Sequence, residues 1–448
     1  EPQAVREETG LKLHFSPLQE ELFSHPGAQT NAWADYDGDG DLDLFVGFRN
    51  APNRLYRNDQ GSFVDVGPEA GLAAEEETRA AAWGDYDLDG DPDLYVGFAA
   101  LDIDNRLYRN DEGSFIDVAG ELGIGQSGTT RQPAFVDYDG DGDVDLFVAF
   151  RDQPNTLFRN DGTAFQNVTA ESRIGDHRRT VGVAWFDMDN DGDLDAFIAN
   201  QNGDEDGFFR NNGDGTFTDV ARELGMHQPG RAQELGSVGT AVGDYDNDGD
   251  LDLFVASYGP DVLWENKGDG TFVNVAPGTP LAGDHHSVAA DWGDINNDGW
   301  LDLYVDTFLS SEAEARDYLF IGGPKGFTEA LPAEMLEHGA SHGVRFADYD
   351  NDGDLDVALA NNHAEGKHPL YRNDLDPELA SRSLVVAVTD QAGNWARAGT
   401  KVTISRESDG FLSARLVDTG GGYSSQSAVS YTHLRAHETV LDLVCRLL

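Results

Sequence analysis

A nine-residue acidic block recurs seven times along this chain, each time between two apolar runs, and such repetition admits few folds. It reads DYDGDGDLD from Asp35 and DYDLDGDPD from Asp85, and returns at Asp137, Asp187, Asp244, Asp294 and Asp348, at spacings of 50, 52, 50, 57, 50 and 54 residues. Each unit carries two further landmarks. A short aromatic segment follows the block, as NRLYRN at 53–58 and 105–110, NTLFRN at 155–160, DGFFRN at 206–211, DVLWEN at 261–266, DYLFIG at 317–322 and HPLYRN at 368–373. A GSFVDV-type segment comes next, at 61–66, 113–118, 163–168, 215–220, 270–275 and 325–330. With the apolar runs around each block, every unit offers four short strands separated by Gly, Asn and Asp turns. That period suits one four-stranded blade, so the expected fold is all-β, a seven-bladed β-propeller.

The last landmark occurs six times against seven acidic blocks, so the seventh unit lacks its fourth strand. At the other end of the chain, KLHFSP (12–17) places Phe15 twenty residues before Asp35, close to the 22 that separate Phe63, Phe115, Phe165 and Phe272 from their own blocks. The N-terminal strand is therefore expected to complete the last blade and close the ring, which leaves no open sheet edge. An open solenoid would not need that orphan strand.

Five carboxylates within nine residues repel one another strongly, so a folded loop of this kind needs a cation, and oxygen-only ligands select a hard one. The candidate ligands are Asp35, Asp37, Asp39, Asp41 and Asp43 in the first loop and Asp85, Asp87, Asp89, Asp91 and Asp93 in the second. The third holds Asp137, Asp139, Asp141, Asp143 and Asp145, and the fourth Asp187, Asp189, Asp191, Asp193 and Asp195. Asp244, Asp246, Asp248, Asp250 and Asp252 form the fifth, Asp294, Asn296, Asp298, Trp300 and Asp302 the sixth, and Asp348, Asp350, Asp352, Asp354 and Asp356 the seventh. Carboxylates at positions 1, 3, 5 and 9, with the main-chain carbonyl at 7, supply the six or so oxygens that Ca2+ accepts, so up to seven Ca2+ ions are expected. Position 6 is Gly in all seven, where the chain turns sharply around the ion. An EF-hand would need glutamate at position 12, which here is Val46, Val96, Val148, Ile198, Val255, Val305 or Leu359. Loop six, with Asn296 and Trp300, loses two charges and is expected to be the weakest site.

The pattern D-x-D-x-D-G-x-x-D between two strands resembles the FG-GAP and VCBS repeats of integrin α-type propellers. The whole unit, through LYRN and GxFxDV, resembles cartilage acidic proteins and bacterial proteins that carry an ASPIC/UnbV domain after the propeller, over roughly residues 10 to 428. The resemblance implies that the loop ions sit on one face and rigidify the propeller without catalysing. Residues 1–10 are then an N-terminal extension, 11–378 the propeller and 379–428 a small, truncated C-terminal β domain, whose matching elements are Asn394, Ala398, Gly399, Val402 and the stretch from Gly421 to Ser427. Residues 429–448 change character, and read as a non-native tail in which His433, His437 and Glu438 are not counted as a metal site.

With 83 acidic against 30 basic residues the formal charge is −53, which argues against nucleic acid as a partner; seven Ca2+ ions would bring it to −39. The single cysteine, Cys445, rules out an intramolecular disulfide, and no apolar run is long enough for a membrane span. Millimolar extracellular calcium saturates sites that resting cytosol would leave empty, so an exported or surface location is expected. No nucleophile elbow, metalloprotease helix, phosphate loop or dinucleotide fingerprint occurs. Arg79, Arg131, Arg179, His286 and His342 lie six or eight residues before their loops, where the innermost strands begin and the axial channel opens. The leading expectation is a binding or adhesion module for a protein or glycan, not an enzyme. The alternative is a propeller hydrolase or lyase using that Arg and His ring on a glycan or polyanion.

Overall fold

The structure, a computed structural model, describes residues 13–308, 316–336, 341–363, 366–388, 398–406, 411–417, 425–427, 431–435 and 442–445. Blade 1 is the sheet Ala28–Ala34, Asp43–Phe48, Arg54–Asp59 and Ser62–Asp65, each strand antiparallel to the next. Blades 2 to 6 repeat it, and the fourth strand shrinks to Thr328–Glu329 in blade 6. The innermost strands ring the axis, and each second strand is buried along its whole length in six blades and, in blade 5, up to the half-buried Tyr258 at its end. A strand wedged between two neighbouring blades meets apolar surface on both faces, which explains why these segments read as continuous apolar runs without alternation. Burial fades outward, and the fourth strands keep only their aromatic residue inside, such as Phe63 or Phe217.

Ring closure is as the sequence implies. Phe15–Leu18 pairs antiparallel with Leu370–Asn373, from Phe15 opposite Asn373 to Leu18 opposite Leu370, and completes blade 7. The segment then crosses to blade 1, where the Gln19 side-chain amide donates to Phe63 O at 3.0 Å and its oxygen accepts from Phe63 N at 2.8 Å. One-turn helices absent from the sequence reading follow four of the fourth strands, at Gly67–Ala70, Ala119–Leu122, Thr169–Ser172 and Ala221–Leu224.

Neighbouring blades meet through two recurring contacts. The aromatic ring at loop position 2 packs on the fourth-strand phenylalanine of the next blade, as Tyr36 does on Phe115 (5.8 Å) and Tyr349 on Phe63 (5.4 Å). Beside it a buried asparagine ends the third strand. Asn110 Nδ2 donates to Pro92 O in its own blade and to Tyr36 O in the preceding one, at 3.2 and 2.7 Å. Asn58, Asn160, Asn211, Asn266 and Asn373 do the same, so Asn58 to Tyr349 fastens the first blade to the last. Blade 6 has Gly322 at this place, and a Cβ there would sit 2.1 Å from Leu301 O. The junction of blades 5 and 6 therefore lacks the amide staple.

After the propeller, Ser383–Ala387 pairs with Tyr431–Arg435, and Lys401–Arg406 lies between Phe411–Leu416 and Asp442–Cys445. These small sheets occupy the place of the expected C-terminal β domain and draw two strands from the tail. Asn394, His437 and Glu438 lie outside the described residues, as does the 1–10 extension. Ser425–Gln426 turns into the channel and pairs parallel with the innermost strand of blade 2 at Ala81 and Ala82. The Gln426 side chain accepts from Phe135 N and donates to Phe135 O in blade 3; Ser427 Oγ accepts from Trp33 N in blade 1. Arg345 of blade 7 donates to Ser425 Oγ and O at 3.2 and 2.8 Å. Strand edges that would otherwise face the channel are thus capped from within the chain.

Replacing Asn110 with Ala removes two donors and orphans two buried carbonyls, so it is expected to cost about 2–3 kcal/mol. Equilibrium denaturation in calcium is the measurement; a loss below about 0.5 kcal/mol would mean the staple is dispensable.

Candidate metal centre

Each acidic loop links the innermost strand to the second strand of its blade, and its aspartates divide the work by position. Position 9 opens the second strand and is buried: Asp43 Oδ2 accepts from Tyr36 N in the loop and Oδ1 from Asn58 N at the end of the third strand, at 3.1 and 2.8 Å. The pair of bonds recurs at Asp93, Asp145, Asp195, Asp252, Asp302 and Asp356. Position 1 curls the loop by accepting from the amide of position 6 in all seven, as Asp35 does from Gly40 at 3.0 Å. Position 5 accepts from the amide of position 7, as Asp39 does from Asp41 N at 2.9 Å. The glycine at position 6 takes a left-handed conformation, φ 94° at Gly40 and 105° at Gly142, that a side chain would strain.

Carboxylates converge as a cation would require. Oxygens of Asp35, Asp37 and Asp39 lie within 4.8 Å of one another, as do those of Asp85, Asp87 and Asp93, of Asp137, Asp139 and Asp145, of Asp187, Asp189 and Asp195, and of Asp244, Asp246 and Asp248. Asp189 Oδ1 and Asp350 Oδ1, both at position 3, are buried with no hydrogen-bond donor among the described residues. Oxygen donors at this spacing, some lacking any proton to accept, fit a hard divalent ion. Position 7 turns its carboxylate elsewhere: Asp41, Asp91 and Asp354 accept from Gln60 N, Glu112 N and Leu375 N, which pins the chain beyond the third strand. Its main-chain carbonyl is the group left for an ion. In loop six Asn296 Oδ1 accepts from Asp298 N and Trp300 brings no carboxylate, leaving Asp294, Asp298 and Asp302 as its acids.

Two sets of functional side chains escaped the sequence reading. The asparagine ending each third strand was visible as the N of LYRN, and its loss at Gly322 marks the one unit that differs. Position 4 links loops around the ring. Asn190 donates to Asp250 of the next loop, Asn247 to Gly299 O, Asn297 to Gly353 O and Asn351 to Asp41. That position is left-handed in every loop, and Leu88 occupies it in loop two with φ 57°.

The Arg and His set divides. His342 is buried with Nδ1 3.2 Å from Gln29 O, and burial together with the charges of Arg79, Arg131 and Arg49 holds its imidazole well below the ordinary range, in the neutral form. Arg79 donates to the Gln29 side chain. His286 instead stacks on Tyr258 at 3.9 Å, and Arg179 pairs with Asp204 at 3.2 Å, so the five do not form one site.

Comparison with known proteins agrees with the repeat geometry. The FG-GAP-like repeat family profile matches residues 35–96, 98–148, 137–198, 187–255 and 244–305. Human cartilage acidic protein 1 is 28% identical over 228 residues, which are 48% of this chain and 33% of that protein; the chain thus spans about a third of the length of the curated relative it matches. Among solved structures, BBS1N in complex with ARL6DN has a TM-score of 0.51 at 12% identity, covering 81% of this chain and 98% of that one. The extracellular domain of the putative hybrid two component system BT3049 from B. thetaiotaomicron scores 0.50 at 12% identity, covering 92% and 47%. These structural likenesses concern the fold alone.

Without an ion, burial pushes the Asp43, Asp145 and Asp195 carboxyls up to about 8 and those of Asp93 and Asp252 to about 9, with the position-3 aspartate adding to the rise. A carboxyl whose pKa is raised by folding favours the fold while protonated, and its contribution is lost as pH climbs from the unfolded value of about 4 toward about 9. The melting midpoint in chelator is therefore expected to fall as pH rises from about 5 to 9, while in calcium it stays nearly level. A gap between the two curves that narrows with rising pH would contradict the cage geometry. Separately, Leu88→Asn is expected to stabilise the protein by about 1 kcal/mol in denaturant titration, because asparagine tolerates the left-handed conformation that strains leucine; any loss would show that the leucine packs usefully.

Proposed function

Since the chain belongs to the FG-GAP-like repeat family, we propose that it is an exported, calcium-stabilised β-propeller that binds a protein or glycan through loops on one face and performs no catalysis. The observation that carries this reading is the convergence of carboxylates at loop positions 1, 3 and 5 or 9 in loops one to five. The residues that would hold calcium are those aspartates, with the carbonyl of position 7. A bound divalent ion would offset the like charges and lock the junction between innermost and second strands. This chain's own part is to present the oxygens on a frame that hydrogen bonds already shape.

Calcium loading of this kind points to a compartment where the ion is millimolar, which supports export. Among the described residues no helix is long and apolar enough to cross a membrane. For the partner, a propeller of similar shape was crystallised in complex with another protein, BBS1N with ARL6DN, which supports a docking role. The enzyme reading draws support from His342 lying near Arg79 and Arg131. Against it, His286 and Arg179 are engaged elsewhere, and Ser425–Ser427 fills part of the channel.

Thermal unfolding with calcium and with excess chelator tests the metal, and the midpoint is expected to drop by roughly 10 °C or more on chelation. An unchanged midpoint would remove calcium from the structure's support. Protein and glycan arrays probed in calcium address the partner, with binding expected to vanish in chelator.

A further inference from the structure

The junction of blades 5 and 6 departs from the ring's pattern in three ways. Gly322 replaces the stapling asparagine, loop six carries three acids where the others carry five, and a strand of the C-terminal region reaches in. That strand, Phe411–Leu416, presses Ala414 into the apolar cluster of blades 4 and 5 and places Arg415 beyond it. The Ala414 amide donates to Asp244 Oδ2 at 2.7 Å, the same oxygen that receives Gly249 N inside loop five. Arg415 is only 7% exposed. Among the described residues its guanidinium donates within its own strand, Nη1 to Ser413 Oγ at 2.7 Å and to Ala414 O at 2.9 Å. Burial pushes its guanidinium below the ordinary range, and the carboxylates whose charge counters this are Asp294, Asp244 and Asp302, position 1 of loops six and five and position 9 of loop six. A buried guanidinium is stable only where negative charge surrounds it, and here two candidate ion loops supply that charge.

We propose that Arg415 is a tethered counter-cation for loops five and six, occupying by docking of the C-terminal strand part of the electrostatic role that a divalent ion plays in the other loops. The inference rests on the calcium reading above. It follows that the strand and calcium compete: a fixed positive charge beside Asp244 and Asp294 weakens ion binding there, and by linkage an ion bound there loosens the strand. Arg415 acts on no carboxylate of loops one to four or seven, whose nearest cations are arginines of their own blades, and those loops load independently of it. The appended β region is then a calcium-responsive element, seated most firmly when the blade 5–6 junction is ion-poor.

Calcium titration calorimetry on the full chain, comparing wild type with Arg415→Gln and Arg415→Lys, tests this. Arg415→Gln is expected to strengthen one class of sites about tenfold or more, while Arg415→Lys, which keeps the charge, stays near wild type. Amide hydrogen exchange on the wild type gives a second readout: relative to Asn110 in blade 2, Ala414 is expected to exchange several-fold faster in calcium than in chelator. Identical calcium binding by wild type and Arg415→Gln overturns the proposal. Should Arg415→Gln fail to fold, equal relative protection of Ala414 in calcium and chelator overturns it instead. If the wild type binds calcium nowhere, the calcium reading itself fails; if it binds calcium but Arg415 is without effect, only this inference does.

Discussion

The aspartate at loop position 9 is the joint on which the rest of each blade turns. It is buried at the root of the second strand, its two oxygens hold the loop amide on one side and the end of the third strand on the other, and so one carboxylate fastens three strands. Burying a negative charge beside three or four others is unfavourable unless donors and a cation surround it. The backbone supplies the donors in all seven blades. The remaining charge is what a divalent ion, held as proposed, would neutralise.

From that joint the ring is assembled by polar contacts set among apolar ones. Tyrosine on phenylalanine fills the space between blades, and a buried amide beside each pair bonds carbonyls from two blades at once. Such an amide adds direction to packing that is otherwise tolerant of small rotations, because leaving any of its partners unbonded in the interior is costly. The closing strand and Gln19 extend the same logic across the seam between first and last blades. Only the 5–6 junction dispenses with the amide, and nearby the C-terminal strand donates from Ala414 N to Asp244 of loop five.

The C-terminal segments change how the propeller presents itself. By pairing with the innermost strand of blade 2 and capping edges of blades 1, 3 and 7, Ser425–Ser427 turns part of an open channel into a packed interior. An axial ligand of the kind imagined for the Arg and His ring would meet His342 neutral and buried. The outer loops and blade edges would then carry the recognition proposed for this chain, as connections on a rigid scaffold often do.

Blade number, strand content, ring closure and the convergence of loop carboxylates were legible in the chain because each is written locally and then repeated. A nine-residue loop brings its own carboxylates together whatever surrounds it, and seven copies remove the ambiguity of one. The missing seventh GxF segment and the early Phe15 even disclosed which end closes the ring. Tertiary structure alone decided the rest. Asn58 meets Tyr349 across 291 positions, Ala414 meets Asp244 across 170, and five basic residues at matching repeat positions divide between different neighbours. Periodicity specifies which side of a strand a residue occupies; which distant atom fills the space opposite is set by how the blades close around the axis and where the C-terminal chain comes to rest.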